Sequence, residues 1–479
     1  MTRKIRQIVL WALIGLGLYI MAAGVLPYVW KRRLPADWQE GVDPAAYYAR
    51  AGETGVDRVA LIETPQQSLQ VRLQLIARAQ RRLDIAYYAV KLGESTDQLL
   101  AALLEAADRG VQVRLLLDGL ASHWGGAGEE LARALASHPN IELRWYNPVS
   151  VFKPWTYNGR MHDKYILVDD RLLLLGGRNV GDMYFGAAGY DGALTLDRDV
   201  LVFNTAFDRP GERESVLFAV EGYMQSVWDS PSCRPAPDRP TDGSRAQQAR
   251  LRQLAEGLRR AHPDWWQAQP AQADWERTVA TGRVSLITND ITIGPKAPRV
   301  GYVLDQLLLG ARERVVLQSP YLVPDSALWN LLDGLGERGI ACDILTNSTA
   351  TSPNFPAFSV YLSARREIVG TGARVYEYQG PDSLHAKSYV VDGRLSLVGS
   401  YNLDPRSRYI DTEMMLVIDS VPFSQTLLET MDGYRQRALL VEEDGQYAPA
   451  DLPPAPVPWL KRVGMLAASV PFRLFRFLV

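Results

Sequence analysis

Two blocks of the chain repeat the same chemistry at the same spacing. The first runs His162-Asp163-Lys164, four residues, Asp169, and six residues later Gly176-Gly177-Arg178-Asn179. The second runs His385-Ala386-Lys387, four residues, Asp392, and six residues later Gly399-Ser400-Tyr401-Asn402. A lone histidine of this kind is ordinarily a hydrogen-bonded core imidazole, but a duplicated block argues for a shared site. Two ammoniums (Lys164, Lys387) and two amides (Asn179, Asn402) can hold the non-bridging oxygens of a phosphate. One imidazole can attack phosphorus while the other protonates the leaving oxygen and then deprotonates an incoming alcohol or water. These jobs need one neutral and one protonated ring, so carboxylates should accept the second ring N–H. Asp199, in Asp197-Arg198-Asp199, and Glu413, in Asp411-Thr412-Glu413, are the candidates, each just ahead of an apolar strand.

The elements around these blocks must bring them together. Residues 165–168 and 388–391 are β-branched and aromatic, so each block should open a strand, with His and Lys at i and i+2 on one face. Further strands at 172–175 and 395–398 carry Asn179 and Asn402 back to the same rim. Upstream, each half repeats helix, Arg-Gly turn and buried strand: 99–107, Arg109-Gly110, 111–118, and 327–335, Arg338-Gly339, 340–346. Each helix follows another strand, at 83–89 and 315–321. This is the rhythm of layered α/β sheets, and two such halves packed face to face would put all six side chains in one pocket.

Composition narrows the function classes. The 479 residues carry Lys+Arg 52 against Asp+Glu 54, a net charge of −2, which argues against binding nucleic acid by bulk charge. Only eight residues are lysine, so one in each block is informative. Cys233 and Cys342 cannot build a disulfide framework or a cysteine zinc site, and the five histidines lack metal-ligand helical spacing.

Residues 8–30 carry no charge and span about 34 Å as a helix, enough to cross a bilayer. An uncleaved anchor over 1–34 fits better than a signal peptide, whose apolar core would be shorter and followed by a small-residue cleavage site. Three basic residues on each flank cancel the orientation signal. The expected layout continues with a first half over 58–228 and a linker with a surface helix over 229–282. A second half over 283–445 and a Pro-rich linker with a basic amphipathic tail over 446–479 complete it. The tail, with Lys461, Arg462, Arg473 and Arg476 among apolar residues and no acid, suits either a membrane interface or a last helix docked on the protein.

The duplicated H-x-K-x4-D with its trailing Asn resembles the phospholipase D superfamily, over roughly 58–440. Residues 176–182 with Tyr184-Phe185-Gly186, together with 138–142, Asn147-Pro148 and 345–348, resemble bacterial cardiolipin synthases of the C type. The resemblance implies an α/β fold with two α/β/α sandwich halves in pseudo-two-fold arrangement, one shared site and no metal or other cofactor. It also implies His162 as nucleophile and His385 as acid, a choice the symmetric motifs leave open by themselves. In such families Asp169 and Asp392 tend to be structural. Gly177 departs from the usual Ser, which Ser400 keeps, and Asp411 stands where Asn is frequent.

The function expected from this is a membrane-anchored phosphatidyl transferase of a bacterial inner membrane. It would make cardiolipin through a phosphatidyl-histidine, with phosphatidylglycerol and phosphatidylethanolamine as candidate substrates and no nucleic acid partner. Hydrolysis to phosphatidic acid uses the same site with water as acceptor. A phosphodiesterase nuclease fits the charge and anchor less well, and a non-catalytic scaffold would require both intact motifs to be relics. Self-association, the side of the membrane and the head groups are left open by the sequence.

Overall fold

The computed structural model describes residues 3–187, 189–266 and 277–479. An N-terminal helix, Arg3–Val25, stands almost wholly exposed and is long and apolar enough to cross a membrane. The remainder is built on two large mixed sheets. The first contains β1 (Asp57–Ile62), β2 (Arg82–Tyr87), β3 (Gln112–Asp118), β4 (Ile141–Tyr146), β5 (Lys164–Val168) and β6 (Leu172–Gly176). A short β7 (Thr195–Leu196) lies outside it, and β8 (Asp199–Asn204), β9 (Cys233–Pro235) and β10 (Val279–Ala280) complete it. Its order is β10-β1-β8-β6-β5-β2-β3-β4-β9.

The second sheet contains β11 (Arg283–Thr288), β12 (Arg314–Gln318), β13 (Ala341–Asn347) and β14 (Arg374–Tyr378). After a short β15 (Ser383–Leu384), it adds β16 (Lys387–Val391), β17 (Leu395–Gly399), β18 (Met414–Asp419) and β19 (Ala438–Leu440). Its order is β11-β18-β17-β16-β12-β13-β14-β19, which matches β1-β8-β6-β5-β2-β3-β4-β9 strand for strand. In both sheets the three parallel strands are joined by helices, and the His-Lys strand enters antiparallel beside the first of them.

Strand alternation divides the core. In β5, Ile166 and Val168 face helices of the first half, while Tyr165 and Leu167 face inward. In β16, Tyr389 and Val391 face the second half's own helices, and Val390 faces inward. The inward residues of both sheets share one cluster with Val220 and Met224 of the helix Val216–Trp228 and Leu427 and Met431 of the helix Val421–Arg435. This common core holds the halves in register, each Leu-sized side chain buried there contributing about 1.5–3 kcal/mol.

The segment 229–282 is more than a spacer. β9 and β10 extend the two edges of the first sheet. The helix Asp242–Ala261 buries Leu251 and Ala255 against the first half and is pinned by Arg250–Asp97 and Arg252–Asp108 pairs. Its charged exterior made it look like a free surface helix, whereas two apolar residues on one face suffice to dock it. Residues 267–276 of that segment lie outside the described residues. The C-terminal helix, Trp459–Leu474, packs on the helix Phe355–Gly370, burying Met465.

Candidate active site

The two blocks meet where the halves meet. β7 pairs in parallel with β15, Leu196 opposite Leu384, and a matching bridge joins Met161 to Thr412. Each bridge sets a histidine of one half beside an acid of the other, because His385 follows Leu384 as His162 follows Met161. Backbone hydrogen bonds from His385 N to the Leu196 carbonyl (2.7 Å) and from Thr412 N to the Arg160 carbonyl (3.0 Å) fix the crossing.

His162 Nδ1 lies 3.0 and 3.1 Å from the two carboxylate oxygens of Glu413. His385 Nδ1 lies 2.5 Å from Oδ2 of Asp197. A carboxylate at Nδ1 favours the tautomer with that nitrogen protonated and the lone pair on Nε2; at His385 the Lys387 Nζ lies 3.1 Å from Nε2. Lys164 Nζ donates to the His162 carbonyl, and Lys387 Nζ to the His385 carbonyl, so each lysine folds back beside its own histidine. Lys387 Nζ is also 3.9 Å from Asp197. Tyr88 meets the His162 ring edge-on at 4.9 Å, and Tyr184 meets His385 similarly at 6.4 Å.

Burial dominates the electrostatics. It pushes His162 well below the usual histidine range, with Lys164 and Lys387 adding to the effect. Burial and the neighbouring Lys387 bring His385 down to about 4, with Asp197 opposing. The ammoniums of Lys164 and Lys387 fall to about 7 and about 8, again chiefly through desolvation. Glu413 is raised by burial to about 7, despite Lys164 and the Ser400 hydroxyl that donates to it. Burial alone would raise Asp197 as well, but Lys387 and His385 beside it hold it below the carboxylate range. Burial thus favours the neutral form of both imidazoles and weakens the proton on both lysines, effects that an anion bound among them opposes.

Asn179 and Asn402 are both buried, and Asn179 reaches the site through Tyr184, whose ring meets His385. Asn179 accepts from Ala89 N (3.2 Å) and donates to the Tyr184 hydroxyl (3.2 Å). Asn402 Oδ1 is buried without a protein hydrogen-bond partner.

Three of the acids chosen from sequence sit elsewhere. Asp199 does not contact a histidine. It accepts two bonds from Arg72 (both 2.9 Å), one from the Ser68 hydroxyl (2.7 Å) and one from Arg178 (3.3 Å). The register explains the error: Gly176 faces Asp199 across β6–β8, whereas Gly399 faces Met415 across β17–β18, so the counterpart of Glu413 is Asp197. The apolar run marking the strand's start begins right after Glu413 but three residues after Asp197. Arg198, just ahead of β8, and Asp199, its first residue, are buried charges neutralised by Glu63 and Arg72, and they hid the true start.

Asp169 and Asp392 sit just past the far ends of β5 and β16, seven residues from the histidines, roughly 23 Å if the chain between is extended. Asp169 accepts from the backbone N–H groups of Gln80, Arg81 and Arg82 (2.7–2.8 Å), and Asp392 from Arg312, Glu313 and Arg314 (2.9–3.0 Å). Both have positive φ (52° and 49°) and brace the β5–β6 and β16–β17 hairpins against the neighbouring strand. Their repeated spacing reflects a repeated turn rather than chemistry.

Two mixed sheets related by a pseudo-two-fold, with a His–Lys pair from each at the seam, define a phospholipase D-type enzyme. The cardiolipin synthase, phospholipase D-like domain model matches twice, at residues 73–202 and 304–434. Cardiolipin synthase C of Escherichia coli strain K12 is 30% identical over 401 residues, covering 76% of this chain and 82% of that protein. Cardiolipin synthase A of Yersinia pseudotuberculosis is 25% identical over 407 residues, covering 82% and 72% respectively. The crystal structure of a phosphatidylserine synthase from Haemophilus influenzae superposes with a TM-score of 0.62 at 16% identity, covering 90% of this chain and 96% of that one. The chain belongs to the cardiolipin synthase, phospholipase D-like family.

Proposed function

We propose that this protein is a membrane-anchored phosphatidyl transferase that makes cardiolipin in a bacterial inner membrane. His162 Nε2 attacks the phosphorus of a donor phospholipid, phosphatidylglycerol or phosphatidylethanolamine. An N–P bond forms, the P–O bond to the head group breaks, and His385, which takes up a proton once the lipid's phosphate anion lies beside it and Asp197 backs its ring, gives that proton to the departing alkoxide. His385, now neutral, takes the proton from a hydroxyl of phosphatidylglycerol, whose oxygen attacks phosphorus. A P–O bond replaces the N–P bond, freeing His162 and releasing cardiolipin. Lys164, Lys387 and the two asparagines hold the non-bridging oxygens throughout. Phosphate binding between the lysines offsets their mutual repulsion and strengthens the proton on each.

The crossed His–carboxylate pairs carry this reading, because each half completes the other's imidazole and neither half is sufficient alone. The division of labour between His162 and His385 follows the family resemblance. Lipid mass spectrometry of cells lacking cardiolipin, expressing wild type or His162→Ala, tests it. Cardiolipin with wild type and none with the variant is expected; phosphatidic acid as the sole product would point to hydrolysis instead. Acid-quenched enzyme incubated with phosphorus-labelled lipid should carry label on His162.

A further inference from the structure

The anchor, the loop leading into His162 and the chain's last residues converge on one spot. Asn158 Nδ2 donates to the Gly24 carbonyl at 2.7 Å, and the Tyr28 hydroxyl to the Trp155 carbonyl at 3.1 Å, tying the loop 147–158 to the exit of the N-terminal helix. Arg406 donates to the Asn158 carbonyl at 2.7 Å and to the Leu478 carbonyl at 3.1 Å, tying the same loop to the C-terminus. The loop leaves the C-terminal end of β4, the sheet edge at which His162 precedes β5, and ends at Gly159, three residues before that histidine.

The outward side chains at this spot are the wrong kind for water. In the loop, Val151 and Phe152 are 63% and 84% exposed, with Lys153 beside them. In the helix Trp459–Leu474, Lys461, Met465 and Phe472 face the protein, while Trp459, Val463, Leu466 and Leu474 form a stripe on the opposite side. Arg462 and Arg473 flank that stripe, and no acid occurs from residue 453 to the end. The helix is therefore both docked and amphipathic: its basic, apolar outer face was not consumed by docking.

We infer that the loop 149–155 and the outer stripe of the C-terminal helix insert into the interface of the same anionic bilayer that the N-terminal helix crosses. The active-site edge is thereby pressed onto the membrane. This rests on the phosphatidyl-transferase reading and deepens it. Continuity with the anchor selects a bilayer as the occupant, and the cations without acids select anionic headgroups. Val151 and Phe152 part the headgroups beside the cleft, so a diacyl lipid reaches His162 with its tails still in the bilayer.

The test uses the full chain in nanodiscs of phosphatidylethanolamine and phosphatidylglycerol. The two native cysteines are buried. Single variants Phe152→Cys, Leu466→Cys and, as control, Glu256→Cys on the far helix receive an environment-sensitive fluorophore. Spin-labelled lipid should quench positions 152 and 466 strongly and leave 256 unchanged. Equal quenching at all three overturns the inference even if transfer activity persists. Separately, Phe152→Asp should lower the ratio of activity on bilayer lipid to activity on a monomeric short-chain lipid by roughly ten-fold, its melting curve confirming the fold. An unchanged ratio also overturns the inference. Wild type inactive on both lipids would instead defeat the functional reading, whatever the quenching shows.

Discussion

His385 and Asp197, in opposite halves of the chain, share the shortest imidazole–carboxylate contact of the site, Nδ1 to Oδ2 at 2.5 Å. Asp197 keeps its charge in a buried setting because Lys387 and His385 both face it. In the proposed mechanism it is thus placed to orient the ring that would handle the proton and to stabilise that ring when cationic. Asp197→Asn keeps the shape and removes the charge. Its kcat for phosphatidyl transfer should fall by about 10²–10⁴-fold, with lipid KM changed far less. Steady-state kinetics on mixed micelles measures both; a loss confined to KM would contradict the assigned role.

Asp199, two residues on, should respond in the opposite way. Its carboxylate is enclosed by Arg72, Arg178 and Ser68, all buried. Asp199→Asn leaves two buried guanidiniums without their counter-charge, and breaking a buried pair of this kind costs about 3–5 kcal/mol. The variant should unfold at clearly lower denaturant than wild type, while any folded fraction retains transfer activity. Denaturation in detergent, run beside Asp197→Asn, separates a structural acid from a positioning one.

That contrast marks what the sequence could and could not tell. The duplicated blocks were legible because His and Lys are scarce here and their spacing is set by a strand, whose period of two is fixed by the backbone. Glu413 was legible because an uninterrupted apolar run follows it. Asp197 was not, since the choice between it and Asp199 depends on which residue faces Gly176 across β6–β8, a register set by contacts far apart in the chain. The crossing of histidines and acids between halves was equally hidden, because it is made by the β7–β15 pairing of two-residue strands too short to leave a pattern. Docking of the helix Asp242–Ala261 rests on two apolar residues, below what periodicity reveals.

The two lysines give the site a basic limb. With Lys164 at about 7 and Lys387 at about 8, well under the ordinary value of 10.5, the free enzyme loses both cations as pH rises through that range. Lipid phosphate then meets fewer charges, so KM should increase between pH 7 and 9. Bound phosphodiester restores the protons, so kcat should change less. The same shifts link to folding: the unfolded lysines bind more protons than the folded ones between about pH 7 and 10.5, so this pair favours the fold increasingly as pH rises through that window. A KM flat across pH 7–9 would show that these ammoniums do not supply the binding charge.

The two dyads differ in the acid, Glu413 against Asp197, and in the residue beside it. Ser400 donates its hydroxyl to Glu413, while Gly177 stands at the same place beside Asp197. A Cβ on Gly177 would lie 2.3 Å from Asp197 Oδ1 and 3.0 Å from its carboxyl carbon, so the small residue makes room for the acid's approach to His385. Gly177→Ala should push that carboxylate aside and lower kcat towards the Asp197→Asn level. Ser400→Ala acts on the other dyad by removing a donor from a buried acid, a stability cost of about 1–3 kcal/mol. The Ser400 hydroxyl favours the ionised form of Glu413, which already sits at about 7. Its removal should therefore move the acid limb of the pH–rate profile upward, so that activity is lost first on the low-pH side. Gly177→Ala should leave that limb where it is, because Glu413 is untouched. Equal limb shifts in both variants would mean that the two carboxylates titrate as one unit rather than serving separate imidazoles.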